Sequence, residues 1–345
     1  MSAECYRIRD LTAPPLQSVR EMQGASFLSA ARFDGQLCRD MYGDLAYGVF
    51  VLPQATVRGT TGYIFQGNTP ILEQNADFLR HKKFLQPRFE AISNHSENTL
   101  RVRDLVSLTS RRHNCFWHWM MDSLPKVVLA EESGFKGSYH IPSPTVAPWA
   151  SESLTTIGIP RDRILINEGG DIEAEQLYIP TYFCGYNAHH NLPFARFFRE
   201  EIRSRVMGEA ATSKQLIFVG RKPAVQHRRV LNQDELAAVA STFGFSIVFF
   251  EDLSLREQLA LSCASKAIIG GHGSGLTHAL FMEEGSSLIE LFPYLRRQTN
   301  DCYEQLSRIP GHQYQALESE RDCGSDIVLS AESLRRTLKN TPLSN

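Results

Sequence analysis

The sequence predicts an α/β protein made of two doubly wound, Rossmann-like halves, with a small β-rich segment in front of them. Three observations point that way. From about residue 96 onward, strand-length apolar runs alternate with helix-length amphipathic runs, the pattern of mostly parallel sheets covered on both faces. The small polar stretch GEAATSK at 208–214 interrupts that alternation and reads as a linker between the halves. The stretch Lys266 to Pro293, KAIIGGHGSGLTHALFMEEGSSLIELFP, sets a glycine-rich turn between two apolar runs. That is how an α/β protein brings backbone amides up to an anionic ligand.

The elements follow in order. Residues 1–95 are irregular and β-rich, with strands expected at Leu45 to Leu52 and Gly62 to Phe65 between Gly and Pro punctuation. The first α/β half, 96–208, opens with a strand at Val102 to Leu108 and a helix continuing through Lys126 to Glu132, which stops at Gly134. Strands at Ser138 to Ile141, Arg163 to Asn167 and Ala174 to Ile179 surround a helix at Ala147 to Ile157. Pro193 to Met207 is a long amphipathic helix. Its Phe194, Phe197 and Phe198, beside Arg196 and Arg199, offer either a core face or a peripheral membrane face. The second half, 209–320, begins with the strand Gln215 to Val219 and the helix Asp234 to Phe243. The strand Phe245 to Phe250, the helix Ser254 to Ser262 and the glycine-turn unit follow. A polar tail, 321–345, carries one helix at Ala331 to Lys339. Two such halves are expected to face a cleft, with ligands beyond the carboxyl ends of the strands.

Composition narrows the function classes. A formal net charge of −2 gives no bulk attraction to nucleic acid. The seven cysteines are odd in number and form no CxxC, which argues against a disulfide framework and a zinc site and fits a reducing cytoplasm. No run approaches the roughly 18 apolar residues that span a bilayer. The opening MSAECYRIRDLTAPP has charges and prolines where a signal peptide needs an apolar core. The expected location is cytoplasmic, with membrane association left open.

Three groups of residues carry candidate chemistry. The first is the glycine turn. Gly270, Gly271, Gly273 and Gly275 are expected to allow positive φ and close approach by a ligand. The amides of Gly273, Ser274, Gly275 and Leu276 open a helix whose N-terminal end favours anions. His272 lies within the turn, and His278 follows on the helix. The second is the basic loop Gly220-Arg221-Lys222-Pro223 through His227-Arg228-Arg229, directly after the strand QLIFV. Alone it reads as a solvated loop. At a strand's carboxyl end beside the glycine turn, Arg221, Lys222, Arg228 and Arg229 are placed to clamp phosphates, and the pair of loops describes a pocket for a nucleoside diphosphate. Glu290, in SLIELFP, is either a ribose ligand or a carboxylate paired to a cation. The third group is HNCFWHWMMDSLPK at 113–126. If residues 116–132 are helical, His118 and Asp122 share a face as an imidazole–carboxylate pair suited to general acid or base work. Asn114, Trp117 and Trp119 around them suit a sugar ring on the acceptor side; the alternative is a structural pair that staples a helix start. No metal-ligand set is evident: His189-His190 are adjacent, so their side chains diverge.

With those motifs in hand, the chain resembles glycosyltransferase family 61. Three blocks carry the resemblance, in the family's order: HN..WHW..D.LPK at 113–126, VGRKPAVQHRRVLNQDEL at 219–236, and LSLREQLALSCASKAIIGGHGSGLTHALFMEEGSSLIELFP at 253–293. The likeness covers roughly residues 45–320. Two positions depart from the family pattern: His278 stands where Asn follows HGAGLT, and Asn232-Gln233 where Asn-Glu follows the Arg pair. The first puts the identity of the nucleotide sugar in doubt. The resemblance implies a GT-B-like architecture and inversion at the anomeric carbon, without metal or cofactor beyond a nucleoside-diphosphate sugar donor. It implies a glycan or glycoconjugate acceptor and a setting such as capsular polysaccharide biosynthesis. Asp122 or His118 then takes the acceptor's proton, Asp122 being the acid on which the motif centres. The glycine turn, Arg221 and the Arg228/Arg229 pair meet the leaving diphosphate. Two other readings of the same pocket are a nucleotide-sugar hydrolase or epimerase and a non-catalytic nucleotide-sugar-binding protein.

Overall fold

The structure, a computed structural model, describes residues 18–34, 36–40, 43–59, 62–71, 98–110, 114–142, 149–167, 169–181, 192–207, 214–223, 227–295 and 300–343. The chain divides into two compact units. One comprises Met1–His113, Asp122–Ala147 and Arg161–Tyr182; the other comprises Asn114–Met121, Pro148–Pro160 and Phe183–Asn345. The boundaries expected near 95, 208 and 320 do not coincide with this interleaved division. Most of the expected linker, 208–213, lies outside the described residues, as do His113 and His189-His190.

The first unit contains β1 (Ser26–Ser29), β2 (Leu37–Asp40), β3 (Gly43–Ala46), β4 (Gly48–Arg58), β5 (Tyr63–Gln66), β6 (Thr69–Pro70), β7 (Thr99–Ser107), the helix α1 (Leu124–Glu132), β8 (Ser138–Ile141), β9 (Ile164–Ile166) and β10 (Asp171–Pro180). Its main sheet runs β6-β5-β4-β10-β7-β8-β9, with β1 added to β4. Strands β10, β7, β8 and β9 are parallel, whereas β4 is antiparallel to β10, β5 and β1. The expected doubly wound first half is therefore a mixed sheet. Of the early strands, β1, β4, β5 and β6 are hydrogen-bonded into it, whereas β2 and β3 form a separate antiparallel pair. The cause lies in β4, whose burial is nearly continuous along its length, so it needs cover on both faces and a partner on both edges. Leu52, Val57, Leu105, Ile172 and Leu177 form the core beneath. A buried ion pair, Arg58 Nη1 to Asp171 Oδ2 at 2.7 Å, ties β4 to β10.

The second unit holds α2 (Trp149–Thr156), α3 (Leu192–Val206), β11 (Gln215–Val219), α4 (Gln233–Ser241), β12 (Ser246–Val248), α5 (Leu255–Cys263), β13 (Ser265–Gly271), β14 (Ser287–Phe292), α6 (Cys302–Ser307), β15 (Gln313–Glu318) and α7 (Ala331–Asn340). All five strands are parallel, in the order β12-β11-β13-β14-β15. Phe218, Ile269, Ile289 and Leu291 of the sheet share one core with Leu236 and Val239 of α4 and with Leu334 and Leu338 of α7. The segment expected as an α-helix after the glycine turn is instead a 3-10 helix, Ser274–Phe281, around which α3, α5 and α6 pack.

Helix α3 is a core helix. Phe194 and Phe198 are fully buried. Arg199, also buried, donates from Nε to the Leu280 carbonyl at 2.9 Å and from Nη2 to the Met282 carbonyl at 2.6 Å. It thereby satisfies carbonyls at the end of the 3-10 helix, which have no partner within it. The membrane-face alternative for these residues does not hold. Among the described residues, no helix is long and apolar enough to cross a membrane. Cys115, Cys263, Cys302 and Cys323 are free thiols.

Candidate functional site

The five-stranded sheet has strand order 2-1-3-4-5, counted along the chain, so its direction of winding reverses between β11 and β13. In open parallel sheets, ligands bind at the carboxyl ends of the strands flanking such a reversal. The basic loop leaves β11 there, and the glycine turn leaves β13 there. The expectation that the two loops open on one edge of one sheet is met.

Arg221 joins the two loops. Its backbone N–H donates to Gln233 Oε1 at 2.7 Å. Its Nη2 donates to the His272 carbonyl at 2.9 Å, and its Nη1 to the His227 carbonyl at 3.0 Å. Burial and the nearby Arg228 lower its pKa, yet a guanidinium stays charged in a protein. Gly273 makes this approach possible, because a Cβ there would lie 1.8 Å from Arg221 Nη2. None of Gly270, Gly271, Gly273 and Gly275 lies in the left-handed region; Gly273, with φ 167°, is extended. The glycine at 273 is required for space, not for a left-handed backbone.

Arg228 and Arg229 separate in role. Arg229 donates to Asp326 Oδ2 from both Nε, at 3.0 Å, and Nη2, at 2.6 Å, and its N–H donates to Asp326 Oδ1 at 2.9 Å. That fixes the loop to the bridge between Val230 and Ile327; the side chain expected to clamp phosphate is already engaged. Lys222 is paired with Asp252. Arg228 is exposed and sits in the left-handed region with φ 56°. It is close enough to lower the pKa of Arg221 and to act on Glu290. Strained, non-glycine positions of this kind concentrate at functional sites. A cavity of about 460 Å³ opens beside the loop, lined among others by Arg221, Lys222, Asn232, Gln233 and Phe249.

His272 and Glu290 pair through Nδ1 and Oε1, so this carboxylate already has a partner within the turn. Glu290 is 1% exposed. Its second oxygen accepts from the Tyr314 hydroxyl at 2.7 Å. Burial raises its pKa, and the contacts to His272 and Tyr314 oppose that. Asn300 Nδ2 lies 3.1 Å from His272 Nε2, and its Oδ1 accepts from the Cys302 N–H. Tyr303 closes the floor, donating to the Gly273 carbonyl at 2.6 Å. Asn300, Tyr303 and Tyr314 were not visible as site residues in the sequence; they come from short elements without a motif.

Other expected residues fall elsewhere. Ser274 and Gly275 are half-buried at the start of the 3-10 helix. Leu276 is a core side chain, and its amide closes on the Gly273 carbonyl at 2.9 Å instead of facing a ligand. His278 was expected to face the donor. It is 1% exposed, stacked on Phe116 and packed against Phe250, with Nε2 2.9 Å from Gln258 Oε1. Burial depresses its pKa to about 3, so it is a neutral core residue.

Trp119 is likewise fully buried, edge-on to Trp149, and its Nε1 donates to Ser153 Oγ at 2.8 Å. It cannot present a face to a sugar. Trp117 is half-buried and edge-on to Tyr303, and Asn114 is exposed. His118 is half-buried at the end of a short helical turn, and Asp122 is buried within a π-helical turn, Trp119–Ser123. The continuous α-helix expected over 116–132 is thus interrupted by that turn. Pro125 provides the physical reason: it has no N–H for the Met121 carbonyl four residues back. The division between the two units also falls between His118 and Asp122.

A basic loop and a glycine turn meet at the reversal point of a parallel sheet in an α/β protein. Residues 116–289 match the sequence profile described as Glycosyltransferase 61, and the chain belongs to that family. It is 35% identical over 100 residues to the EGF domain-specific O-linked N-acetylglucosamine transferase of Drosophila melanogaster, covering 28% of this chain and 18% of the fly protein. It is 33% identical over 96 residues to the protein of the same name from Mus musculus, covering 26% and 18%. The chain thus spans less than a fifth of these relatives in the matched region. Among solved structures, it is similar to a family 9 glycosyl transferase from Veillonella parvula, with TM-score 0.32 and 11% identity over 63% of this chain and 86% of that one. It is also similar to the dodecameric iron-containing heptosyltransferase TibC, with TM-score 0.28 and 11% identity over 93% of this chain and 86% of that one. Those two likenesses are too distant to carry an argument.

Proposed function

We propose that this protein is an inverting, metal-independent glycosyltransferase of GT-B-like architecture. It moves a sugar from a nucleoside-diphosphate sugar to a hydroxyl of a glycan or glycoconjugate, in a cytoplasmic step of polysaccharide synthesis. The observation that carries the reading is the meeting of the basic loop and the glycine turn at the reversal point of the second unit's sheet, with Arg228 held beside them. The diphosphate lies against that edge, and the nucleoside occupies the neighbouring cavity near Phe249. As the bond to the anomeric carbon breaks, charge develops on the diphosphate, and preorganised donors there stabilise it. The acceptor's proton goes to Asp122 or His118. An N-acetylhexosamine donor is the first to try, because the similar fly and mouse proteins are named for N-acetylglucosamine transfer.

The test is a thermal-shift panel of nucleoside diphosphates and their sugars, followed by product analysis with and without candidate acceptors. A ligand that binds only the folded state raises the melting temperature, and transfer to an acceptor separates a transferase from a hydrolase or epimerase. No shift with any nucleotide removes the donor reading. For the base, pH–rate profiles of Asp122→Asn and His118→Ala are compared; the group whose loss alone abolishes the basic limb is the base.

A further inference from the structure

Building on that donor reading, we propose that Glu290 is a positioning residue that makes His272 Nε2 take up a proton when the donor's diphosphate binds. The hydrogen-bond network fixes the resting state. Asn300 Oδ1 accepts from the Cys302 N–H, so the Asn300 nitrogen faces the imidazole and donates to Nε2. Nε2 is then the unprotonated nitrogen, and the ring proton sits on Nδ1 against Glu290. Glu290 is held by Tyr314 from the next strand and has no exposure through which to swing away. Phe292 stacks on the imidazole at 4.8 Å and Tyr303 stands edge-on to it. The ring therefore has one orientation, with its basic nitrogen toward the exposed Asn300.

Charged and polar groups face this ring from several sides. Glu290 faces it from β14, Tyr314 lies behind Glu290 on β15, and Tyr303 and Cys302 belong to α6, with Asp301 just before them. From the loop after β11, Arg221 donates to the ring residue's own carbonyl, and Arg228 is near enough to act on Glu290. Two guanidinium groups oppose a third positive charge there. A bound diphosphate reverses that balance, and the buried Glu290 carboxylate keeps the imidazolium paired from behind. On binding, one proton passes from solvent to Nε2, and the bond from Asn300 to Nε2 is replaced by one from Nε2–H to a phosphate oxygen. Nδ1–H stays on Glu290, and nothing is oxidised or reduced. When the bond to the anomeric carbon breaks, its electron pair goes to the diphosphate that this N–H already faces.

The experiment is calorimetric titration of the full chain with inorganic pyrophosphate at about pH 7.5, in two phosphate-free buffers of different ionisation enthalpy. The buffer dependence of the heat counts the protons exchanged, and linkage predicts about one more taken up by the wild type than by Glu290→Gln. That variant keeps the shape of the side chain but not its charge, and it is expected to bind pyrophosphate at least about tenfold more weakly. Equal proton counts in the two proteins overturn the proposal and leave the donor reading standing. Failure of the wild type to bind pyrophosphate overturns both. Asn300→Ala tests the same idea at an exposed position, independent of whether Glu290→Gln folds. It removes the group competing for Nε2, so it should keep the wild-type proton count and bind no more weakly; a lost count or weaker binding overturns the proposal.

Discussion

Arg228 and Arg229 are adjacent and chemically identical, yet the structure engages only one of them. Arg229 is locked on Asp326, so Arg229→Ala should lower the melting temperature by freeing the loop from the Val230–Ile327 bridge. Arg228 makes no hydrogen bond or ion pair among the described residues and holds φ at 56°. Glycine adopts that conformation without strain, so Arg228→Gly should leave stability unchanged or raise it by up to about 1 kcal/mol. The same change removes a cation from the edge proposed to meet the diphosphate. Turnover is expected to fall on the order of a hundredfold, or about 3 kcal/mol of transition-state stabilisation. Paired thermal melts and steady-state rates check this; an active, folded Arg228→Gly protein takes the residue out of the donor site. The comparison is cleaner than Arg221→Ala, because Arg221 also joins the two loops through the His272 and His227 carbonyls.

At the scale of elements, the 3-10 helix Ser274–Phe281 is the piece on which the site depends, and it is held from outside. Arg199 satisfies the Leu280 and Met282 carbonyls, and His312 Nε2 donates to the Ala279 carbonyl at 2.8 Å. Arg199→Met keeps the apolar stem and leaves buried carbonyls without a donor, which should cost about 3 kcal/mol, read as a lower denaturation midpoint. The same packing sets an acid limit. Burial lowers the pKa of His278 to about 3 and of His312 to about 4, against about 6.5 when unfolded. The unfolded chain therefore binds more protons below 6.5, so stability is intact above that pH and declines as pH falls toward 4 and then 3. Melting temperatures measured from pH 7.5 down to about 5, before most carboxylates titrate, should already fall; a flat profile would mean that these rings are not buried neutral. The pitch of this helix was not legible in SGLTHALF, where eight mostly apolar residues fit a period of 3 as well as one of 3.6. The π-helical turn at Trp119–Ser123 was equally hidden, although Pro125 marked where a continuous α-helix had to fail. By contrast β8 and β11 were legible to the residue, because each is a short run bounded by turn residues. β15 was not, because QYQALE is half-exposed throughout and shows no alternation.

At the scale of the molecule, local pattern found the second unit's parallel sheet and missed the first unit's mixed one. The pairing of β4 with β10 joins residues more than a hundred positions apart, and no local period records such a register. The order of the second sheet says where the proposed donor would act. With the reversal between β11 and β13, protection by a bound nucleoside diphosphate should concentrate at the carboxyl ends of those strands and of β14. The measurement is hydrogen exchange of the full chain, with and without the nucleoside diphosphate that gives the largest thermal shift. Amides in 220–223, 227–231, 271–276 and 300–303 are expected to slow, because the loops they belong to become ordered around the ligand. The central strands β4, β7 and β10 have no reason to change beyond the small uniform effect of added stability. Protection centred on those strands instead would place the nucleotide on the first unit and overturn the assignment of the glycine turn and Arg228 to the donor.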